Sequence, residues 1–300
     1  MFKNLVIYRI APSWVPDLEA AEQALAAARF VPCGESQMLS AGFVEPRGHA
    51  GGAMVEPVGA GQWVAKLMVE RKILPGTVVA KRMEELAQRI ERETGRKPGR
   101  RAMKELKERA QLELLPQAFT KLAAVTVWID TQRSLLCVDA PSVGASEAVV
   151  TALVKTLPGF GVRLLQTHTS AQSGMSAWLT EGEAPDAFSL DRECELRAPD
   201  EMRSTVRYSR HSLDIGEIGE HIKAGKQPTK LALTWMGSVS FVLTDAMTLR
   251  RISFDDVVFE SSKKDAGEEA FDADAVIATG ELARLIVDLV ETLGGELVNE

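Results

Sequence analysis

Alternation of apolar and polar residues predicts a chain that mixes short strands with helices. Strand patterns cover residues 2–10, 30–33, 42–44, 62–70, 125–130, 135–139, 162–166, 186–198, 206–209, 213–215, 230–235, 238–243 and 249–254. Helical periodicity covers residues 17–29, 146–157, 216–224 and 280–293, and a further short helix is expected to begin at Ser176. Because hairpins of strands are interspersed with helices, we expect an α+β fold with antiparallel sheets and packed helices.

Two amphipathic helices are predicted between residues 76 and 121. The apolar stripe of the first consists of Val79, Met83, Leu86 and Ile90, at spacings of four, three and four residues. The stripe of the second consists of Met103, Leu106, Ala110 and Leu114. Between the helices, Gly95 and Pro98-Gly99 interrupt the periodicity and permit a tight reversal. The segment is therefore predicted to be a helical hairpin inserted between strands.

The inserted hairpin divides the chain into three predicted regions. Residues 1–75 and 122–167 are assigned to an N-terminal α+β region, residues 76–121 to the hairpin arm, and residues 168–300 to a C-terminal α+β region. Within the last region, residues 255–274 contain eight acidic and two basic residues. Such a composition predicts a solvated acidic loop.

Charge distinguishes the hairpin from the rest of the protein. Residues 71–121 contain 14 Lys or Arg and 7 Asp or Glu, whereas the whole chain has a net charge of −7, so the remainder carries −14. A basic surface on an acidic protein indicates a polyanionic partner. Between residues 81 and 109, Arg outnumbers Lys by 7 to 4, which favours phosphate oxygens as the ligand. The candidate phosphate-contacting residues here are Lys81, Arg82, Arg89, Arg92, Arg96, Arg100, Lys104, Lys107 and Lys121.

A simpler interpretation of the hairpin stays open. Soluble helices commonly have a charged face that only keeps them in solution. In addition, Glu85 lies four residues before Arg89, and an ion pair between them would neutralise part of the basic surface.

The sequence contains no recognised catalytic pattern. Its four histidines lack metal-ligand spacing, no G-x-x-x-x-G-K-[ST] loop is present, and Ser176 lies in a motif that fails the G-x-S-x-G pattern. We therefore expect a protein that is not an enzyme and has no metal ion or cofactor. The three cysteines are scattered, and no apolar run approaches the roughly 18 residues of a membrane span. These features predict a cytoplasmic protein without membrane contact.

A series of short motifs extends from one end of the chain to the other. They are Phe2-Lys3-Asn4-Leu5, Tyr8-Arg9, Pro32-Cys33-Gly34, Gly42-Phe43-Val44, Lys72-Ile73-Leu74-Pro75, Leu114-Leu115-Pro116, Ala118-Phe119, Trp128-Ile129-Asp130, Val138-Asp139, Gly225-Lys226, Thr229-Lys230-Leu231-Ala232-Leu233, Phe271-Asp272-Ala273-Asp274, Thr279-Gly280-Glu281-Leu282 and Leu293-Gly294-Gly295-Glu296. In this order, the motifs resemble those of the RdgC family of bacterial recombination-associated proteins. The resemblance is weakest at residues 168–215.

The resemblance implies a ring-shaped homodimer whose central hole is lined with positive charge and admits double-stranded DNA. It implies binding with little sequence preference, no enzymatic activity, and restraint of the RecA recombinase through occupation of DNA. Nucleoid association in the cytoplasm is implied as well. The basic hairpin agrees with this, because phosphate contacts attract DNA without reading its bases.

The resemblance also suggests roles for residues outside the two helices. Phe119 and Gln117 match a region near a contact that closes the ring, although an ordinary core aromatic is an equal alternative for Phe119. Arg210 and His211 fall in a stretch that implies a second contact between subunits or the lining of the hole. The remaining candidates for the lining are Lys72, Lys226 and Lys230, for which solvated surface lysines are the alternative.

Two other functions remain open. A protein-interaction module would dock its basic hairpin directly on an acidic surface of the recombinase. An unrecognised nuclease would degrade DNA in a Mg²⁺-dependent reaction.

Overall fold

A computed structural model of the chain describes residues 2–213, 215–259 and 268–298. The strands are β1 (Asn4–Ile10), β2 (Leu39–Val44), β3 (Val55–Val58), β4 (Gln62–Lys72), β5 (Thr120–Asp130), β6 (Leu135–Val138), β7 (Val162–Leu164), β8 (Phe188–Arg197), β9 (Thr205–Ser209), β10 (Gln227–Trp235), β11 (Val239–Thr244) and β12 (Leu249–Phe254). The helices are α1 (Leu18–Ala27), α2 (Gly76–Thr94), α3 (Arg100–Leu114), α4 (Val143–Thr156), α5 (Ala171–Glu181), α6 (Ile215–Lys223) and α7 (Glu268–Thr292). Short 3-10 helices cover Leu115–Gln117 and Asp256–Phe259.

All of these strands belong to one antiparallel sheet. The order along it is β2-β4-β5-β6-β1-β12-β11-β10-β8-β9, with β3 paired to β4 and β7 paired to β1. The N-terminal half of the sheet meets the C-terminal half at β1, where Asn4 pairs with Arg250 and Leu5 with Leu249. The predicted α+β class with antiparallel pairing is confirmed.

Helices cover opposite faces of the two halves of the sheet. Strand β1 lies where the two halves meet. Its alternate residues point to opposite faces of the sheet and therefore join different hydrophobic clusters. Leu5 and Ile7 join a cluster that contains residues of α5 and α7, whereas Val6 and Tyr8 join a cluster that contains residues of α1 and α4. The helices of the two halves therefore pack on opposite faces of the sheet.

Helices α2 and α3 occupy the connection between the neighbouring strands β4 and β5. The predicted stripes are confirmed, because all of their residues meet in one hydrophobic cluster between the two helices. Gly95 ends α2 in the left-handed conformation (φ 69°), and its N–H donates to the carbonyl oxygen of Glu91. Glycine adopts this conformation without steric cost, which explains the sharp reversal.

The structure differs from the predicted elements at several places. Residues 30–33 do not form a strand, although the N–H of Phe30 donates to the carbonyl oxygen of Phe43. Strand β3 was not predicted, and β5 begins five residues earlier than expected. The predicted strand at residues 213–215 is also wrong, since Leu213 belongs to no strand and α6 begins at Ile215; residue 214 lies outside the described part.

The predicted acidic loop at 255–274 is the largest discrepancy. Residues 260–267 lie outside the described part of the chain, but α7 already begins at Glu268, twelve residues before the predicted start. Phe271 and Ala275 pack on Val58 and Val64, and Asp272 accepts a hydrogen bond of 2.5 Å from Arg47. These contacts with the N-terminal half hold the acidic segment as a helix.

Contacts between sequence-distant segments join the predicted regions. The C-terminal Glu296 pairs with Arg9 and Arg163, while Arg47 connects Glu56 with Asp272 of α7. The division into 1–75 with 122–167, 76–121 and 168–300 stays a prediction.

Candidate nucleic-acid interface

The packing of α2 on α3 leaves a set of cations on the outside of the hairpin. Because the apolar stripes face each other, the basic side chains are turned towards solvent. Those that are exposed and form no ion pair with any described residue are Lys81, Arg89, Arg92, Arg96, Lys97, Arg100, Lys104 and Lys107. Cations without a protein carboxylate are available for an external anion.

Arg82 is bound within the hairpin. Its Nε and Nη2 donate to Glu113 Oε2 at 2.9 and 2.7 Å, and its Nη1 donates to Glu85 at 2.9 Å. Hydrogen bonds from Arg82 and then from Arg109 lower the pKa of Glu113 below its ordinary value. Arg82 therefore links α2 to α3, with its charge compensated by two glutamates, and its role as a phosphate contact stays a prediction. The expected pair between Glu85 and Arg89 is wrong, because Glu85 pairs with Arg82.

Lys72 is buried at the base of the hairpin. Its Nζ donates to the carbonyl oxygens of Glu35 and Leu115 at 2.8 and 2.9 Å. These bonds attach the end of α3 to β4 and to the loop before β2. The expectation that Lys72 lines a DNA-binding surface is corrected, since its ammonium group faces the interior.

Phe119 lies on the surface of the single chain. Its exposed fraction is 86%, and the neighbouring apolar side chains of Leu122 and Ile73 are 56% and 47% exposed. The N–H of Ile73 donates to the carbonyl oxygen of Phe119 at 2.7 Å, so these residues lie close together. A core position for Phe119 within one chain is thereby excluded. Gln117 is exposed beside it.

The base of the hairpin also carries a pair of cations. Lys121 of β5 is exposed and lies directly opposite Arg71 of β4, which is exposed as well. Arg71 was not singled out from the sequence. Its position became apparent only from the register between the strands, although its place next to Lys72 in a basic segment was a weak signal.

Strand β5 has a free edge next to Phe119. Along its full length it pairs with β4, but β6 pairs only with residues 127–130. No described strand pairs with the other edge of residues 120–125. Unpaired edges with apolar side chains favour association with another chain.

The chain matches a known protein family over almost its whole length. A family model described as "Putative exonuclease, RdgC" matches residues 1–296. The chain belongs to the RdgC family. Relatives named "Recombination-associated protein RdgC" include those of Dechloromonas aromatica (43% identical, covering 99% of this chain and 98% of the relative), Herminiimonas arsenicoxydans (41%, 98% and 98%) and Bordetella pertussis (40%, 98% and 98%).

The remaining candidates of this RdgC-family chain lie in the C-terminal half of the sheet. Arg210 and His211 follow β9, and both are exposed. Strand β9 stands at one end of the strand order, and the hairpin-bearing strands β4 and β5 stand near the other. Arg210 has a left-handed backbone (φ 54°), and Nδ1 of His211 lies 2.7 Å from the carbonyl oxygen of Ser212.

The two lysines carried over from the RdgC resemblance have different surroundings. Lys226 is half-buried between α6 and β10. Lys230 donates from Nζ to Glu195 Oε2 at 2.9 Å, so its charge is partly compensated. The predicted site residues therefore occupy the hairpin, its base and the C-terminal half of the sheet, and they do not form one cluster within a single chain.

The exonuclease description of the RdgC family raises the question of a metal centre, because many nucleases use carboxylate-bound metal ions. Among residues 2–213, 215–259 and 268–298, no group of three or more His, Cys, Asp or Glu side chains is arranged to hold a metal ion. No described helix has the length and apolar character needed to cross a membrane. The absence of enzymatic activity stays a prediction.

Proposed function

We propose that the chain binds double-stranded DNA without sequence preference, as a ring-shaped homodimer that encloses the duplex. The observation that carries this proposal is the set of eight exposed cations on α2, α3 and the turn between them that form no ion pair with described residues. Such cations attract the phosphate backbone, and affinity based on phosphates is independent of base sequence.

The net charge of the protein supports an interaction confined to the basic parts of its surface. Outside residues 71–121 the chain sums to −14, so most of its surface repels nucleic acid. DNA bound by the hairpin is therefore discouraged from lying on the acidic parts of the remaining surface. A ring with a positively charged lining and an acidic exterior would attract DNA into its hole and repel it elsewhere.

Two surfaces at separate ends of the sheet suit contacts between subunits and support the proposal of a ring. Phe119 with Leu122 and the free edge of β5 lie near one end of the strand order, while Arg210 and His211 lie at the other. In a twofold homodimer each contact is isologous, and two contacts at separate ends close a ring of two subunits. The exposed apolar group at Phe119 is the stronger anchor, since aromatic side chains dominate the energy of interfaces.

The relatives of the chain are named recombination-associated proteins, and we extend the proposal to recombination for this reason. A dimer that occupies duplex DNA in the nucleoid excludes other proteins from the same stretch. We therefore assign to this chain a restraint of RecA-dependent recombination by competition for DNA, in the cytoplasm and without enzymatic activity.

Titration of labelled duplexes tests the binding proposal. Two duplexes of unrelated sequence should bind with affinities that agree within a few-fold, and log K should fall steeply and linearly with log salt concentration. Tight binding that is insensitive to salt, or strong preference for one sequence, contradicts the proposal. Loss of full-length DNA in the same tubes when Mg²⁺ is added would instead establish a nuclease.

The exposed group of Phe119, Leu122 and Ile73 next to Lys121 also favours a second candidate function, direct docking on an acidic surface of the recombinase. The two functions differ in one outcome. If a variant that has lost DNA binding still inhibits strand exchange, the protein acts on the recombinase itself. If inhibition disappears together with DNA binding, competition for DNA is sufficient.

A further inference from the structure

A second charged surface lies on the C-terminal half of the sheet, on the face opposite α5 and α7. Alternation along β10 identifies this face, because Leu231 and Leu233 point into the hydrophobic cluster and Lys230 points the other way. Five cations line this face, which we call the Glu195 face; Arg251 joins its neighbour Arg250 there because β12 is irregular at Arg251, whose backbone is left-handed (φ 51°). The five cations are Arg197 of β8, Arg207 of β9, Lys230 of β10, and Arg250 and Arg251 of β12.

Glu195 lies at the centre of this face and is 1% exposed. Its carboxylate accepts hydrogen bonds from Lys230 Nζ at 2.9 Å and from Arg197 Nη2 at 3.2 Å, and a further one from Arg207. The hydroxyl of Thr229 donates to it at 2.7 Å. One buried carboxylate therefore holds three cations, which restricts their side chains and reduces the entropy lost when they bind a ligand.

The face retains positive charge after its internal pairs are considered. Arg251 pairs with Glu193 at 2.7 Å, and Asp191 accepts from the hydroxyl of Thr234. Arg250 forms no ion pair within the described part of the chain. Asp245 also lines this face, beside Arg197 and Arg250, so five cations face four carboxylates, which leaves a net charge of +1 on a protein whose overall charge is −7.

The cations surround two shallow grooves that share Glu195, Lys230 and Arg250. One groove, of about 210 Å³, reaches Arg207 and Arg251, and the other, of about 350 Å³, reaches Arg197 and the beginning of α4. The side chains of Arg207 and Arg251 are 63% and 61% exposed, so their guanidinium groups remain accessible.

Small polar side chains accompany the cations along the strands of this face. Ser189, Thr205 and Ser253 are exposed, and Thr234 and Ser240 are half-buried. Protein–protein interfaces are anchored by aromatic and apolar side chains, which are lacking among these residues. Arg, Lys, Ser and Thr are instead the side chains that bind phosphate and sugar of nucleic acids. The composition favours a nucleic-acid backbone over an acidic protein.

We propose that the Glu195 face is a second phosphate-contacting surface, which binds the backbone of the same duplex DNA that the hairpin binds. This inference rests on the proposed function, and it adds a surface built from five strands to the helical one. Because Glu195 binds Arg197, Arg207 and Lys230 from below the surface, these three cations are held in position before DNA arrives.

The test uses the double variant Arg207→Gln/Arg251→Gln of the full-length protein. The matched control is Lys223→Gln/Arg284→Gln, which removes the same charge from exposed residues of α6 and α7, the helices on the opposite face. We expect the salt slope of duplex binding to become less steep in the test variant, but by less than the roughly 1.8 of two unpaired cations, since Arg207 and Arg251 must exchange a glutamate partner for phosphate. The control should keep the slope of the unchanged protein.

Equal slopes for the test variant, the control and the unchanged protein overturn the inference while the proposed function stands. Absence of salt-dependent duplex binding in the unchanged protein overturns the proposed function first. The variant Arg207→Lys/Arg251→Lys guards against a folding defect, because retained charge should restore the slope. If the Gln variant binds DNA normally but no longer inhibits strand exchange, the face docks a protein and the inference is wrong.

Discussion

The dependence of DNA binding on salt measures how many hairpin cations meet phosphates. Arg89 and Arg92 are exposed and form no ion pair with described residues, whereas Arg101 and Arg109 pair with glutamates at 3.5 and 3.0 Å. The two pairs of arginines differ in availability but have the same charge. We predict that Arg89→Ala/Arg92→Ala weakens duplex binding strongly and that the matched variant Arg101→Ala/Arg109→Ala weakens it much less.

The size of the effect follows from counterion release. Removal of two phosphate contacts makes the slope of log K against log salt concentration less steep by about 1.8. Relative to a 1 M reference, this corresponds to roughly 60-fold lower affinity at 0.1 M monovalent salt. The loss is equivalent to about 2.4 kcal/mol of binding free energy.

Fluorescence anisotropy of a labelled blunt-ended duplex, repeated over a series of salt concentrations, provides both the affinity and the slope. The thermal unfolding of both variants should match that of the unchanged protein, because the four arginines are on the surface. Equal losses in the two variants would show that only net charge matters. An unchanged slope in Arg89→Ala/Arg92→Ala would refute the assignment of this hairpin surface to DNA.

Three further predictions concern residues that the structure places in other environments. Phe119→Ser should weaken self-association by roughly tenfold or more without lowering the stability of the single chain, as measured by sedimentation and thermal unfolding; an unchanged oligomer would exclude Phe119 from the interface. Lys72→Met should destabilise the fold by about 2 kcal/mol in urea titrations, because two buried carbonyl oxygens lose their donor, whereas a change in DNA affinity alone would contradict its interior role. Burial acts to raise the pKa of Glu195, but hydrogen bonds from Lys230, Thr229 and Arg207 lower it to about 2 from an ordinary value of 4.5. The stability due to its charge is therefore complete above pH 4.5 and lost as the pH falls towards 2, so Glu195→Gln should flatten the melting temperature over this interval, and an unaltered acid branch would contradict the network.

Local periodicity was sufficient to predict the hairpin and most of the strands. The stripe that begins at Val79 depends only on spacing within one helix, and the structure places it where the spacing requires. The partner of Arg82 could not be predicted in the same way, because Glu113 lies 31 residues further along the chain. The burial of Lys72 likewise depends on carbonyl groups from two distant segments.

The composition of the acidic segment 255–274 led to a wrong prediction for its last seven residues, which begin α7. Its many carboxylates suggested a loop, yet Phe271, Ala275, Ala278 and Leu282 recur at spacings of four, three and four, which is a helical signal. The Glu195 face had no comparable local signal. Its cations come from four strands, and only the register of the sheet brings them to one side.

The pairing of β1 with β12 has a consequence for folding during synthesis on the ribosome. Asn4 of β1 pairs with Arg250, and Arg9 pairs with Glu296. Both partners are translated long after β1. We therefore expect β1 to remain without these neighbours while the intervening chain is synthesised, and to pair with β12 in a late folding step.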